Sequence, residues 1–357
     1  KPGKTPSQNA QFLLFLAAFI KGVDEYQDIL RCCVSYPGND LRLGGNEAPP
    51  AVISIFLGDE LTAVLDSIIR GTAYVDMTKK KLEIGVDTLP EIPQDTTDRN
   101  RTSPLAFTGN KFEFRMVGSS QSIAGPNIAL NTIMAEQLCR FADALEKAEN
   151  FDATLQQIVS RALSQHQRII FDGNGYSEAW KQEAARRGLS NLPSTAEALP
   201  AYVSSKNIDL VERHGIFNET EFRARYSIHL ESYRKVVNIE ARTMVDMAMH
   251  QILPAAAAYS GELCKTAAGK KALGVSCRSE LDLISKLSES QDALYDRIQQ
   301  LIRELTGIPA DAKTAAEYCR QVIIPSMDAI RSHADRLEEL TAKKYWPFPT
   351  YSDMLFY

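Results

Sequence analysis

The chain has 357 residues with a net charge of −5 at pH 7, and 44% of its residues are hydrophobic and 24% charged. That length is enough for one large domain or two ordinary ones, each with a buried core, and the composition is typical of a soluble globular protein. The negative charge and the lack of a basic cluster argue against binding to nucleic acid. Six cysteines without a C-x-x-C pair predict neither a disulfide framework nor a zinc site, and reduced thiols indicate a cytoplasmic protein.

The N-terminal stretch predicts a helix over residues 8–33, capped at Ser7 or Asn9. Its apolar run "FLLFLAAFI" resembles the core of a signal peptide but is too short to span a bilayer. The amphipathic pattern continues through "KGVDEYQDILR", so we expect no targeting segment. The chain starts without Met, and we expect it to be a piece of a longer protein.

The next residues predict mixed structure. A glycine- and proline-rich loop, "YPGNDLRLGGNEAPP", precedes "AVISIFLGDELTAVLDSIIRG", whose apolar residues follow helical spacing. Loops and short strands then lead to a strand, "KFEFRMV", and Pro126 is expected to open a helix in the first helical position.

From Pro126 to about Lys344 the pattern is almost entirely helical. Asn218 and Glu221 predict a capped start for a long helix, and heptad spacing between Ser279 and Gly307 predicts one arm of a helical hairpin. The sequence therefore predicts an α+β fold that is mostly α. We expect a mixed region at 1–125, a helical region that makes subunit contacts at 126–344, and a C-terminal tail at 345–357 that packs back on the core or on a neighbouring subunit.

Two loop clusters could carry chemistry. In "RLGGNEAPP", Arg42 and Glu47 flank glycines that let the backbone approach a ligand, although such a loop alone is more often a surface turn. In "DRNRTSP", Arg101 could hold phosphate because the guanidinium fork matches phosphate oxygens, and a solvated loop is the alternative.

The third cluster is the strand in which Lys111, Glu113 and Arg115 alternate with two phenylalanines. Alternation places the charges on one face and the phenyl rings on the other. A carboxylate between two cations suits a divalent metal ion beside phosphate and carboxylate groups, whereas an alternating strand taken alone is usually half exposed.

Together and in this order, "RLGGNEAPPAV", "NRTSP", "KFEFR" and "GPNIALNTIMAE" resemble the second half of the catalytic domain of glutamine synthetases. The phrases "GNEAPPAVISIFLG", "FTGNKFEFRMVGS" and "WPFPTY" resemble type III glutamine synthetases in particular, the long bacterial form. The resemblance implies part of the catalytic domain, with its guanido-kinase-like β-sheet, followed by a large helical region.

The resemblance also implies an activity: ATP-dependent ligation of ammonia to glutamate through a γ-glutamyl phosphate, with Mg²⁺ or Mn²⁺. Arg42 and Arg115 match arginines that bind the glutamate substrate. Glu47 matches a loop glutamate that closes over the site and deprotonates ammonium, and Arg101 matches an arginine that faces the phosphoryl group and the nucleotide. These roles agree with the need of phosphoryl transfer for placed cations.

Two further residues complete the implied site. Glu113 matches a metal ligand, and Lys111 takes the place of a basic residue near the nucleotide. The resemblance implies a cytoplasmic homo-oligomer, a dodecamer, with glutamate, ammonia and ATP as partners and no nucleic acid or membrane.

The sequence departs from the family pattern at several points. Leu41 stands where a histidine is expected, and an arginine expected after "NRTSP" is absent, with Leu105–Ala106 near its place. The β-grasp domain, the histidine motif and the other metal-binding glutamates are not in this sequence, so we expect the chain to be a C-terminal portion that is inactive alone. The alternatives are a non-catalytic helical module for oligomerisation or regulation, and a ligase that forms γ-glutamyl amines.

Overall fold

The computed structural model describes residues 2–3, 5–44, 49–74, 81–82, 92–93 and 102–355. Within them the chain forms two compact units, Lys1–Tyr226 and Ser227–Tyr357. Helices dominate both units and a small sheet lies in unit 1, which confirms the predicted mostly-α fold of the α+β class. The predicted domain boundaries at residues 125 and 344 stay predictions about the complete protein.

Unit 1 is built from helices that precede and follow the sheet. Short 3₁₀ turns at Pro6–Gln8 and Gln167–Ile169 accompany them. In chain order the helices are α1 (Ala10–Glu25), α2 (Gln27–Cys32), α3 (Pro37–Arg42), α4 (Asp59–Arg70), α5 (Ala124–Glu146), α6 (Phe151–His166), α7 (Glu178–Arg186), α8 (Thr195–Tyr202), α9 (Ser205–Arg213) and the first part of α10 (Glu219–Met247).

The first helical stretch follows the prediction apart from one break. The Asn9 side chain accepts a hydrogen bond from Phe12 N and caps α1, as predicted. The helix is interrupted at Tyr26, whose backbone leaves the helical region before α2 begins. Both helices bury apolar residues in one core, which α5 and α6 cover from the other side.

Helix α3 corrects a prediction, because the glycine- and proline-rich stretch was expected to be a loop. Pro37 occupies the first helical turn, where its missing N–H costs nothing, and the helix runs to Arg42. Two of its side chains, Asn39 and Asp40, are held by tertiary contacts that local sequence does not display.

The sheet has three strands in the order β1-β4-β5. Strand β1 (Ile55–Phe56) pairs in parallel with β4 (Leu105–Phe107), which pairs antiparallel with β5 (Phe112–Phe114). A second, two-stranded sheet pairs β2 (Lys81–Leu82) with β3 (Ile92–Pro93). The segment before α4 is thus a strand and not the helix that its spacing predicted, and β5 is shorter than the predicted "KFEFRMV" because the chain turns at Arg115.

Two predicted helix starts can be compared with the structure. Asn218 Oδ1 accepts from Glu221 N, and Glu221 Oε2 accepts from Asn218 N, which confirms the predicted cap of α10. Helix α5 begins at Ala124, two residues before Pro126, so the proline lies inside the first turn and not at the first position.

The described residues of unit 2 form helices joined by short turns and loops. Its helices are the second part of α10, α11 (Leu253–Ala272), α12 (Arg278–Thr306), α13 (Ala312–Tyr318), α14 (Ile324–Leu340) and the short α15 (Tyr351–Leu355). Helix α12 packs against both α11 and α14, which confirms the predicted hairpin arm. Its heptad positions form the apolar centre of this unit, with buried side chains at Leu287, Leu294, Ile298, Leu301 and Leu305.

Two π-helical turns join neighbouring helices of unit 2 without a break. Ala248–Ile252 connects α10 to α11, and Cys319–Ile323 connects α13 to α14. Each turn ends two residues before a proline, Pro254 or Pro325. A proline inside a helix lacks an N–H and clashes with the carbonyl four residues earlier, so the wider turn allows the helix to continue.

The C-terminal tail packs against α11, in agreement with the prediction that it would fold back. The rings of Tyr345 and Tyr259 lie 5.5 Å apart, and Lys344 Nζ lies 3.0 Å from a carboxylate oxygen of Glu262. No helix within the described residues has both the length and the apolar run that crossing a lipid bilayer requires.

Candidate functional site

Arg42, at the C-terminal end of α3, is fixed by three hydrogen bonds. Its Nη1 donates to Asn39 Oδ1 (3.2 Å) and Met116 O (3.1 Å), and its Nη2 donates to Arg115 O (2.9 Å). A guanidinium has five N–H donors. Two N–H groups of Arg42, that of Nε and one of Nη2, therefore have no acceptor among the described residues. These two groups could donate to a ligand carboxylate.

Arg115 directly follows β5 and reaches the segment before β4. Its Nη2 donates to Thr102 Oγ1 (2.9 Å) and Ser103 O (2.6 Å), and its backbone N donates to Pro104 O (2.8 Å). Ser103 is itself buried and bonds Ser54 Oγ and Phe171 O. The structure thus brings Arg42 and Arg115, predicted from separate motifs, into direct contact through the Arg115 carbonyl.

Glu113 lies on the face of β5 opposite the phenyl rings. Phe112 stacks on Phe19 of α1, with ring centroids 3.9 Å apart, and Phe114 also packs against the apolar core. This confirms the prediction that the phenylalanines form the structural side of the strand. Strand alternation then places half-buried Glu113 on the other face, and Lys111, just before β5, is exposed.

Two predicted catalytic residues, Glu47 and Arg101, lie outside the described residues. The described residues nearest to them in the chain are Gly44 and Pro49 for Glu47, and Thr102 for Arg101. Gly44 N donates to Pro49 O (2.9 Å), so the ends of the 45–48 segment are held together, and Gly44 has a φ of 80°, which glycine adopts without strain. Thr102, next to Arg101, is the residue that Arg115 holds.

A divalent metal is part of the predicted site, and the described residues can be tested for it. The carboxylate of Glu113 is a hard oxygen donor of the kind that Mg²⁺ prefers. The described stretches contain no group of three His, Cys, Asp or Glu residues placed to hold an ion. Glu113 therefore fits as one ligand of a metal, and this part of the chain does not supply a complete site.

A buried polar network beside α3 was missed by sequence reasoning. Asp40 accepts from Arg31 Nη2 (3.1 Å), from Thr195 N (2.6 Å) and from Thr195 Oγ1 (2.9 Å). Burial raises the pKa of Asp40 above its usual value, although the bonds from Thr195 and the charge of Arg31 oppose that rise. The partners are up to 155 positions apart in sequence, so no local pattern could have revealed them.

Another buried carboxylate, Glu136 of α5, joins this helix to the end of α9. It accepts from His214 Nε2 (2.8 Å), Arg140 Nε (2.8 Å) and Arg213 Nη1. Burial alone would raise the pKa of Glu136, but the hydrogen bond from His214 and the two arginine charges outweigh it and lower the pKa. The sequence had indicated no role for His214.

A large groove of unit 1 lies elsewhere. It has a volume of about 1080 Å³ and lies between the start of α1, the end of α4 and α6, with Ser7, Ile68 and Gln156 among its lining residues. Neither Arg42 nor Arg115 lines it. A large groove is the usual first candidate for a ligand site, yet the convergence of charged groups at Arg42 and Arg115 is the stronger signal because it coincides with the sequence motifs.

Comparisons with known proteins point to one family. Residues 154–271 match the family model described as the glutamine synthetase C-terminal domain. The chain is 41% identical to the "Type-3 glutamine synthetase" of Dictyostelium discoideum, over all of this chain and 50% of that protein. It is 39% identical to the "Glutamine synthetase" of Butyrivibrio fibrisolvens and to that of Bacteroides fragilis (strain YCH46), in each case over 99% of this chain and 51% of the relative.

The chain thus spans about half the length of the curated relatives that it matches. The similarity covers the α3 segment, the sheet and both helical units, and it agrees with the order of the sequence motifs. On this evidence the chain belongs to the glutamine synthetase family.

Proposed function

We propose that this chain is the C-terminal portion of an ATP-dependent glutamate–ammonia ligase and contributes one part of its active site. The observation that supports the proposal most directly is the contact between Arg42 and Arg115, which come from two separate family motifs. The reaction joins ammonia to the side-chain carboxylate of glutamate, which is first activated as a γ-glutamyl phosphate.

Arg42 and Arg115 are proposed to bind glutamate. Two N–H donors of Arg42 lack an acceptor among the described residues, and they could bind a carboxylate in the paired geometry that guanidinium favours. Because three other bonds hold the side chain in place, little conformational entropy is lost when the substrate binds. The guanidinium of Arg115 fixes Thr102 and Ser103 and so also orders the chain beside Arg101.

Glu47 and Arg101 are proposed to take the catalytic roles that the family implies. A carboxylate at Glu47 can accept a proton from ammonium and leave ammonia as the nucleophile. A guanidinium at Arg101 can stabilise the charge that collects on phosphoryl oxygens during transfer. The described residues nearest to them in the chain are held by hydrogen bonds: Gly44 N donates to Pro49 O, and the Thr102 hydroxyl accepts from Arg115.

The nucleotide and metal are proposed to meet the same face of β5. Glu113 would supply a carboxylate ligand to Mg²⁺ or Mn²⁺, and Lys111 would lie near the phosphates of ATP. When bound, ATP would supply the phosphoryl group and the metal ion would neutralise its charge. What this chain contributes is the orientation of Glu113, which follows from the packing of its two phenylalanine neighbours on the other face.

We also propose that the complete protein is a cytoplasmic homo-oligomer, with a dodecamer as the expected state, and that the helical region at 126–344 makes subunit contacts. Long amphipathic helices are suited to such interfaces. In this proposal residues 1–125 complete the catalytic domain and residues 345–357 form the tail.

The test is a glutamine-forming assay of the complete enzyme that carries this chain. Arg115→Lys, which keeps the charge but loses the fork, and Glu113→Gln are expected to abolish synthesis without changing the oligomer measured by light scattering. Glu178→Gln, an exposed carboxylate on α7, is the matched control and should retain activity. Loss of assembly with synthesis per assembled subunit intact would contradict the catalytic proposal and favour a structural module.

The extent of the site can be tested with this chain alone. Since Glu113 is the one metal ligand predicted in this sequence, residues 1–357 should form no glutamine from glutamate, ammonium and Mg²⁺–ATP. Appreciable turnover by the isolated chain would contradict the proposal that the site is incomplete. Hydroxylamine in place of ammonium gives a sensitive readout, because the γ-glutamyl hydroxamate is coloured with iron.

A further inference from the structure

Helix α3 carries Arg42 and is anchored by Asn39 and Asp40. Asn39 is buried, and its Nδ2 donates to Val34 O (2.7 Å) and Met116 O (3.0 Å) while its Oδ1 accepts from Arg42. One amide therefore ties Arg42 to the end of the β5 segment. The position of the guanidinium depends on where α3 lies.

Asp40, the next residue of α3, ties the helix to α8. Both of its carboxylate oxygens are used: Oδ2 accepts from Thr195 N (2.6 Å), and Oδ1 accepts from Thr195 Oγ1 (2.9 Å) and Arg31 Nη2 (3.1 Å). Thr195 is the first residue of α8, so its N–H is one of the donors that a helix start leaves without an intrahelical partner. A carboxylate at that end is also favoured by the helix dipole.

Arg31 extends the same network to the chain before α8. Its Nε donates to Leu192 O (2.7 Å), its Nη1 donates to Ser35 Oγ (3.0 Å), and only 1% of its side chain is exposed. Burying an ion pair has a large desolvation cost, and apolar residues often stabilise a fold equally well. An ion pair with so many specific bonds constrains geometry more than an apolar contact could.

These contacts connect two regions of the chain that were recognised by different sequence signals. Arg42 lies in the motif region, whereas Leu192 and Thr195 lie inside the segment that matches the glutamine synthetase C-terminal domain. Among the described side chains of α3, Asp40 is the one that forms hydrogen bonds with this segment. A shift of α8 would therefore move Asp40 and, with it, Arg42 on the same helix.

We infer that Asp40, held by Arg31 and Thr195, is a positioning residue for Arg42, and that the start of α8 thereby sets the affinity of the enzyme for glutamate. This inference rests on the proposed function, in which Arg42 binds the glutamate carboxylate. Asp40 itself does not touch the substrate; it acts by fixing α3.

The test uses a matched pair of variants in the complete enzyme. Thr195→Val has nearly the same shape but removes the Oγ1 hydrogen bond to Asp40, and Thr195→Ser keeps it. We expect Thr195→Val to raise the KM for glutamate roughly three- to tenfold, the net effect of losing about one ordinary hydrogen bond. The KM for ATP and kcat at saturating glutamate should be unchanged, because Arg42 is proposed to bind substrate and transition state alike. Thr195→Ser should restore the KM for glutamate.

Thr132→Val controls for loss of a buried hydroxyl. Thr132 is also buried, and its Oγ1 donates to Ile128 O within α5, away from α3. This variant should leave both KM values unchanged, and the Tm of all three variants should be measured in parallel. A lower Tm for Thr195→Val with an unchanged KM for glutamate would show a merely structural role and overturn the inference.

The possible failures are distinguishable. If the unsubstituted enzyme forms no glutamine, the proposed function fails and the inference fails with it. If it forms glutamine and Thr195→Val and Thr195→Ser have equal KM values for glutamate, the inference alone is overturned. If both rise and Thr132→Val rises with them, the effect belongs to core packing, which also overturns it.

Discussion

The two compact units differ in what they bury. With the exception of Thr341, every buried polar or charged residue in the described part of the chain lies in unit 1. There the buried carboxylates of Asp24 and Glu136, and the largely buried carboxylate of Asp40, are each held by cationic partners. Unit 2 buries an apolar heptad stripe. Most of its described ion pairs, such as Lys286–Asp282, are exposed and lie within one helix.

The difference indicates a division of roles. A buried polar group must find its partners, and therefore a polar network tolerates few alternative arrangements. An apolar helix stripe specifies which face is buried but tolerates conservative repacking. Unit 1, which carries the candidate site, thus has the interactions that fix side chains in place, whereas unit 2 has those that suit a stable helical scaffold.

Breaking a polar network in unit 1 is expected to have one of the two largest effects. Glu136→Gln should destabilise unit 1 by about 3 kcal/mol, the lower end of the penalty for breaking a buried pair, since Arg140 and Arg213 can partly turn to solvent. Urea unfolding followed by Trp180 fluorescence in a Trp346→Phe background reports on this unit, because each unit contains one of the two tryptophans.

The matched change in unit 2 is Asp282→Asn, which removes an exposed pair with Lys286 and should cost less than about 0.5 kcal/mol. It is followed with Trp346 in a Trp180→Phe background. Equal losses from the two carboxylates would contradict the contrast between the units.

A cavity in the apolar stripe should affect unit 2 almost as strongly. Leu294 of α12 is fully buried, and Leu294→Ala should lower the free energy of unfolding by about 2–4 kcal/mol through lost transfer energy and cavity formation. Leu281→Ala on the same helix is the control, because 56% of that side chain is exposed. A small effect at Leu294 would show that α12 is not central to this core.

Two helical glycines lie in contrasting surroundings, one packed closely against another helix and one open. A Cβ at Gly22 of α1 would lie 2.5 Å from Ile133 Cγ2 of α5, so Gly22→Ala should destabilise unit 1 by about 1–3 kcal/mol. A Cβ at Gly269 of α11 would meet nothing within 4 Å. Gly269→Ala should therefore stabilise unit 2 by about 1 kcal/mol through helix propensity. Thermal unfolding of each variant checks both signs, and a gain at Gly22 would contradict the close approach of the two helices.

The stability of unit 1 is also expected to depend on pH through Glu136. The pKa of Glu136 is lower in the folded chain than its ordinary value of 4.5. Its contribution to stability is thus fully present above the unfolded pKa and is lost as the pH falls through the folded pKa. The difference in unfolding free energy between the unsubstituted chain and Glu136→Gln should shrink as the pH falls below about 4.5, the ordinary pKa of this carboxyl group. A difference that stays constant over this range would show that Glu136 is not ionised in its network.

Several elements could be predicted from the sequence because their signals are local. The cap of α10 by Asn218 and Glu221, the limits of α12 near Ser279 and Gly307, and the core-facing phenylalanines of β5 follow from neighbouring residues. Family motifs likewise marked Arg42 and Arg115 as residues of one site, and the structure places them in contact. The roles of all six candidate site residues stay predictions: Arg42, Glu47, Arg101, Lys111, Glu113 and Arg115.

Other features depended on residues far apart in the chain. The glycines and prolines around α3 suggested a loop, and its helix is held by Asn39 and Asp40 through partners that no local pattern reveals. The residues of β1 follow helical spacing but pair with β4, some 50 positions later, because a parallel partner there offers both backbone bonds and burial.

By itself the sequence determined the helical character of the chain, its family motifs and the face of β5 that carries charge, because periodicity and motif order are properties of adjacent residues. The tertiary structure decided which polar groups meet. A carboxylate such as Asp40 can be buried only where specific donors surround it, and those donors, Arg31 and Thr195, are brought together by folding alone.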